Sequence, residues 1–219
     1  MSQITPMAKA RLTRELSLLS TDPPPGIAAY VPNPSDMTSI RAQITGPEDS
    51  PFEKGVFLLL VNISGRYPFE PPRCRFVTPV YHPNIDSGGR ICLDTLKSPP
   101  GGSWSPAVSL PSLLLSIRSL LASPNPDDGL VPEISELYKR NKWEEEARKR
   151  TEREATVAKL EEAERGLDGD NINDEKRDVE KSNAEEEKKK DDGLASKRSN
   201  ESNAEEIVAA EDGVKRTKR

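Results

Sequence analysis

Histidine and cysteine are almost absent from this sequence. One His, His82, and two Cys, Cys74 and Cys92, occur in 219 residues, and there is no CxxC pair. A closed structural zinc site takes about four such ligands, so metal binding has no basis here. Two cysteines do not make a disulfide framework. Long apolar runs are lacking too. The longest, GVFLLLVNI from Gly55 to Ile63, falls far short of the roughly 20 residues of a membrane span. The opening MSQITPMAKARLTREL has no apolar core of the kind a secretory signal needs. These absences lead us to expect a protein of the nucleus and cytoplasm, with no membrane partner.

Aromatic residues make up only 5%, and none lies between Glu161 and Arg219. That stretch carries 19 Asp/Glu against 13 Lys/Arg, whereas the preceding 160 residues have a net charge of +1. The whole chain is 33% hydrophobic and 32% charged, too polar for one packed globule. We therefore expect a folded domain over 1–160 and a disordered charged tail over 161–219, since the tail cannot bury enough apolar surface to offset its ordering entropy. Two basic clusters in it, KKKDDGLASKR from Lys188 to Arg198 and the terminal VKRTKR, fit nuclear import signals or a merely solvated tail. The near-neutral charge of the domain argues against direct nucleic-acid binding.

The domain reads as α+β. Leu12, Leu16 and Leu19 fall at helical spacing, and DPPPG from Asp22 to Gly26 ends that helix. IAAYV, from Ile27, is a weak first strand. In TSIRAQITG, Ile40, Ala42 and Ile44 alternate with Arg41, Gln43 and Thr45. VFLLLVNIS is apolar on both faces, as a central strand should be. RCRFV alternates again. Short connections favour an antiparallel meander. After an irregular stretch from Thr78 to Pro106, Leu113, Leu114, Ile117, Leu120 and Leu121 form the stripe of a buried helix capped near Ser109. Two more helical segments follow, around Glu133–Asn141 and from about Lys142 to Arg165.

An irregular stretch as long as 78–106 inside a compact domain is usually functional, and it holds both His82 and Cys92. A Cys–His hydrolase would need His82 as a base, yet Pro83 and Asn84 follow it in a turn. Asp86 and Asp94 flank Cys92 and favour its neutral form, with Arg90 opposing. A third reading is a carrier that holds an acyl group as a thioester. Such a site does better without a strong base beside the sulfur, because a base would activate water. It still needs an oxyanion donor, and Asn84 is the nearest neutral amide.

Five separated motifs now agree on a family. YHPNI with Cys92 eight residues beyond its Asn, WSPA, PNPDD, DPPPG and RYPFEPP, over roughly residues 7–155, resemble the ubiquitin-conjugating enzymes (E2s). The resemblance implies an N-terminal helix, a four-stranded antiparallel meander and three further helices. It implies that Cys92 receives ubiquitin from the activating enzyme (E1) as a glycyl thioester and passes it to a substrate lysine with a RING-type ligase (E3). Asn84 would stabilise the oxyanion or hold the loop. Asp128 would orient or deprotonate the incoming lysine, or simply cap a helix; a carboxylate alone raises a lysine's pKa, so any lowering must come from desolvation. His82 and Pro83 would support the active-site loop. Phe69, Pro106, Ala107, Arg11 and Arg14 would form the ligase-docking patch, the arginines also serving E1. No cofactor would be bound, ATP and Mg being consumed by E1, and the protein would act as a monomer.

KSPPGGSW, Arg90 two positions before Cys92, and EKGVF are similar to the T-type branch of the family, which serves monoubiquitination in Fanconi anaemia DNA repair. Lys97, five residues past Cys92, is placed to accept ubiquitin in cis. Many E2s bind a second ubiquitin on the outer face of the sheet through a serine in the first strand. Ala28 stands at that position, which favours single transfers over chain building. Conjugation of another ubiquitin-like modifier, or a non-catalytic adaptor of the same fold, are the alternatives. The presence of Cys92, Asn84 and Asp128 together argues against the adaptor.

Overall fold

A computed structural model describes residues 4–169. The basic clusters at Lys188–Arg198 and the C-terminus lie outside them. Helix α1 spans Pro6–Thr21, with the Thr5 side chain accepting from the Ala8 N–H and Pro at the first helical position. Strands β1 (Ile27–Tyr30), β2 (Ser39–Thr45), β3 (Val56–Asn62) and β4 (Arg73–Phe76) form one antiparallel sheet in that order. The register pairs Ile44 with Phe57, Ala42 with Leu59 and Ile40 with Val61. These six residues face the core, together with Leu12 and Leu19 of α1.

Helix α2 (Leu110–Ala122) closes the other side of that core. Ser109 and Ser112 form a capping box at its start. Leu113, Leu114, Ile117 and Leu121 sit in the same cluster as the inner sheet face. Helices α3 (Pro132–Lys139), α4 (Glu144–Glu154) and α5 (Val157–Gly169) follow.

The α+β class and the meander stand as expected, but the C-terminal part differs in two ways. The charged segment after Lys142 is two helices. The Ala155 carbonyl turns out of helical bonding to accept the Val56 N–H of β3 at 2.8 Å, and the Thr156 hydroxyl accepts the Lys159 N–H to start α5. Among the described residues four helices therefore follow the sheet instead of three. Residues 161–169, assigned to the tail on composition, are the second part of α5, so the folded unit passes the boundary set at 160. The compact unit extends to Leu167. Composition missed this because α5 has a single narrow stripe: Leu160 is buried, Ala163, Glu164 and Leu167 are half-buried, and the other residues from Val157 to Asp168 are exposed.

Candidate functional site

The site grows out of the irregular stretch beyond β4. Gly89 (φ 79°) lets the chain turn back against β4, where the Phe76 N–H donates to its carbonyl at 2.9 Å; a Cβ there would stand 1.9 Å from the Phe76 carbonyl oxygen. Asp86 closes the turn, accepting from the N–H groups of Gly88 and Arg90 and pairing with the Arg90 guanidinium at 2.5 Å. The Asn84 carbonyl then accepts the Cys92 N–H at 2.9 Å. In this way a loop acquires strand-like fixity without belonging to the sheet.

His82 is fully buried. Its Nδ1 accepts the Asn84 backbone N–H at 2.9 Å, so Nε2 carries the proton and donates to the Leu120 carbonyl, also at 2.9 Å. Phe52 and Trp143 pack around the ring. Burial pushes its pKa down to about 4, with the Leu120 bond opposing. Both nitrogens are committed, so the ring cannot serve Cys92 as a base. Its work is to tie the loop to α2. Pro83 is buried beside it, and its carbonyl accepts the Leu130 and Val131 N–H groups.

Asn84 is also fully buried, and its amide is fully used. Nδ2 donates to the carbonyls of Asn125 (2.7 Å) and Asp128 (2.9 Å), and Oδ1 accepts the Asn125 N–H (2.8 Å). The side chain joins the cysteine loop to the Pro126–Asp128 turn. An oxyanion contact would require it to release one of these bonds.

Asp128 is thereby held facing the sulfur. Cys92 Sγ donates to Asp128 Oδ2 at 2.9 Å, Lys97 Nζ donates to Sγ at 3.1 Å, and Lys97 Nζ meets Asp128 Oδ2 at 3.0 Å. Burial, then the bond to the Asp128 carboxylate, push the thiol pKa up, with Lys97 opposing. The bonds from Cys92 and then Lys97 hold Asp128 below the usual carboxylate range. Lys97 is raised by its bonds to Cys92 and then Asp128. The expected neutral thiol is present, but its cause differs. Asp86 is engaged by Arg90, and Asp128, 36 residues along the chain, is the carboxylate that touches the sulfur. A contact across that separation left no signal in the sequence around Cys92.

The second cluster of expected residues assembles on two loops. Phe69 is 65% exposed, an unusual state for a phenylalanine, and Pro106 and Ala107 are exposed as well. The loops are joined by Trp104, whose Nε1 donates to the Pro68 carbonyl at 2.9 Å and whose ring packs against Tyr67. Arg14 lies on the exposed side of α1. Arg11 is different. Its guanidinium donates to the carbonyls of Pro106 and Val108 and pairs with Glu15 at 3.0 Å, while Glu15 accepts the Tyr67 hydroxyl at 2.6 Å. Arg11 thus fixes the Pro106 loop to α1 rather than presenting a bare charge. The sequence reading missed Glu15 and Tyr67, although the i,i+4 spacing of Arg11 and Glu15 was there to see.

The sequence also matches known proteins. Residues 11–154 match the family model described as ubiquitin-conjugating enzyme. The chain is 52% identical over 161 residues to "Ubiquitin-conjugating enzyme E2 T" of Bos taurus, covering 69% of this chain and 82% of the relative. It is 50% identical to the protein of the same name from Homo sapiens, over 73% and 81% of the two chains. It is 51% identical to that of Xenopus laevis, over 68% and 78%.

Proposed function

Since the chain belongs to the ubiquitin-conjugating enzyme family, we propose that it carries ubiquitin as a thioester on Cys92 and delivers it to a lysine under the guidance of a RING-type ligase. One observation supports this reading above the others. The ammonium of Lys97 lies within hydrogen-bond reach of both Cys92 Sγ and Asp128 Oδ2. An acceptor lysine needs that same position.

The chemistry follows from the charges. The Cys92 thiol loses its proton and attacks the carbonyl carbon of the E1–ubiquitin thioester; the C–S bond to E1 breaks, one to Cys92 forms, and the departing E1 thiolate takes up a proton in exchange. In discharge, a deprotonated lysine amine attacks the Cys92 thioester carbonyl. The tetrahedral oxyanion collapses, the Cys92 thiolate leaves, and the amine sheds its remaining extra proton as the isopeptide bond forms. Asp128 orients the amine and takes up that proton. Asn84 holds the Asn125 and Asp128 carbonyls so that the carboxylate faces the sulfur, and meets the oxyanion only by releasing one of them. His82 and Pro83 keep the loop in place. Lys97, in contact with Cys92 Sγ, is proposed as an acceptor in cis.

Phe69, Pro106 and Ala107 form the proposed ligase contact, an exposed aromatic on a braced frame. Arg14 adds charge, and Arg11 acts through the loop it holds. The T-type likeness makes monoubiquitination in DNA repair, in nucleus and cytoplasm, the proposed setting, with E1 consuming ATP and Mg and this chain acting as a monomer. The test is discharge of preloaded protein to free lysine. Asp128→Asn should slow it by about tenfold or more while leaving loading intact. Equal discharge rates would remove Asp128 from the mechanism.

A further inference from the structure

The outer face of the sheet, turned away from the core, carries Tyr30 on β1, Arg41 and Gln43 on β2, and Leu58 and Leu60 on β3. Leu58 and Leu60 lie outside the main hydrophobic cluster, yet they are 0% and 4% exposed. A bare antiparallel face would leave them wet. Helix α5 reaches the β1–β2 side of this face through Glu164. Its Glu164 carboxylate accepts the Tyr30 hydroxyl at 2.5 Å and the Gln43 amide at 3.0 Å. Leu160, Ala163, Glu164 and Leu167 fall at i, i+3, i+4 and i+7 and are the covered side of the helix. At its start the chain is fixed again, the buried Ala155 accepting the Val56 N–H.

Two features make this a latch more than a continuation of the core. The helix is attached through a two-residue link and one narrow stripe, and Glu161, Glu162 and Arg165 on its other side are exposed. In the polar clasp the Glu164 carboxylate accepts from two neutral donors on neighbouring strands, beside Arg41, which also engages Tyr30.

We propose that Glu164 is a positioning residue that keeps α5 on the outer face of the sheet and so closes that face to a second ubiquitin, limiting the protein to single transfers. This rests on the reading of the chain as a ubiquitin carrier. The second ubiquitin is the natural competitor because the enzyme already works amid its own cargo. Ala28 stays exposed at the rim of the covered region, so an approaching domain reaches the edge of the face but meets α5 over Tyr30 and Gln43.

The test uses the full chain, unmodified ubiquitin and no E1. Amide chemical shifts of Ala28, Tyr30 and Gln43 are followed on titration, and hydrogen exchange of residues 160–167 reports release of α5. In the unaltered protein the shifts should not saturate up to about 1 mM ubiquitin. Glu164→Lys and Leu160→Asp should each speed α5 exchange and tighten ubiquitin binding at this face about tenfold. Supplied with E1, both should form products longer than one ubiquitin. Unchanged α5 exchange in Glu164→Lys, or released α5 without ubiquitin binding, would overturn the proposal. So would equal binding in all three proteins. Loading of Cys92 in the same preparations separates the two ideas: normal loading with a closed face in every variant defeats the latch alone, while no loading in any of them defeats the carrier reading.

Discussion

Lys97 and Asp128, 31 residues apart in the chain, meet at 3.0 Å directly beside the sulfur of Cys92. Their effects on the thiol oppose each other. The carboxylate holds the proton on sulfur and the ammonium favours its loss. Both side chains are more than a third exposed, so the ion pair itself contributes little to stability. Its importance lies in reactivity.

Reactivity of the free thiol should follow from that balance. Asp128→Asn removes the main partner that keeps the proton on, so alkylation of Cys92 by iodoacetamide near neutral pH should quicken, by roughly twofold to tenfold. Lys97→Met should slow it by a similar factor. Rates measured across pH check both signs, with the unaltered thiol titrating above an ordinary cysteine.

Lys97→Arg should abolish self-modification at this position. An arginine keeps the positive charge beside Asp128 but is not an acylation target. Peptide mapping after a prolonged reaction with E1 and ATP would find ubiquitin on Lys97 in the unaltered protein and none at that position in the variant.

Stability should fall as the solution is acidified, well before most carboxylates titrate. His82 is neutral in the fold, with a pKa near 4, against about 6.5 unfolded. Between those values the unfolded chain binds the extra proton, so stability rises with pH through this window and is lost as pH falls below about 6.5. From pH 7.5 to 5.0 the loss should be about 2 kcal/mol. Urea midpoints at the two pH values test it, and His82→Gln, with no group to titrate, should flatten the difference although it starts less stable.

Arg11 and Arg14, three residues apart on α1, should separate sharply. Arg11→Ala strips the charged partner from the buried Glu15 and unties the Pro106 loop, and should cost about 1.5–3 kcal/mol in urea unfolding. Arg14→Ala, on the exposed side, should stay within about 0.5 kcal/mol.

Much of this was legible in the sequence, for reasons that can be named. Alternation in β2, the apolar run of β3 and the stripe of α2 all reflect burial, which leaves a periodic trace. Pro, Gly and Ser marked the ends of α1 and α2. The pairing of Lys97 with Asp128, the double use of Asn84, and the Arg11–Glu15–Tyr67 chain were not legible, because contacts between distant segments leave no periodic mark. Helix α5 was half legible: a helical segment was expected from about Lys142 to Arg165, but the break at Ala155 that makes it two helices left no signal, and residues beyond 160 were given to the tail on their composition.

The most direct test is the intact mass of the protein after incubation with ubiquitin, E1 and ATP, taken with and without a thiol reductant. The account predicts one added ubiquitin, released by the reductant, absent from Cys92→Ala, and converted to a reductant-resistant ester in Cys92→Ser. An adduct that persists in Cys92→Ala, or no adduct on the unaltered protein, would contradict it.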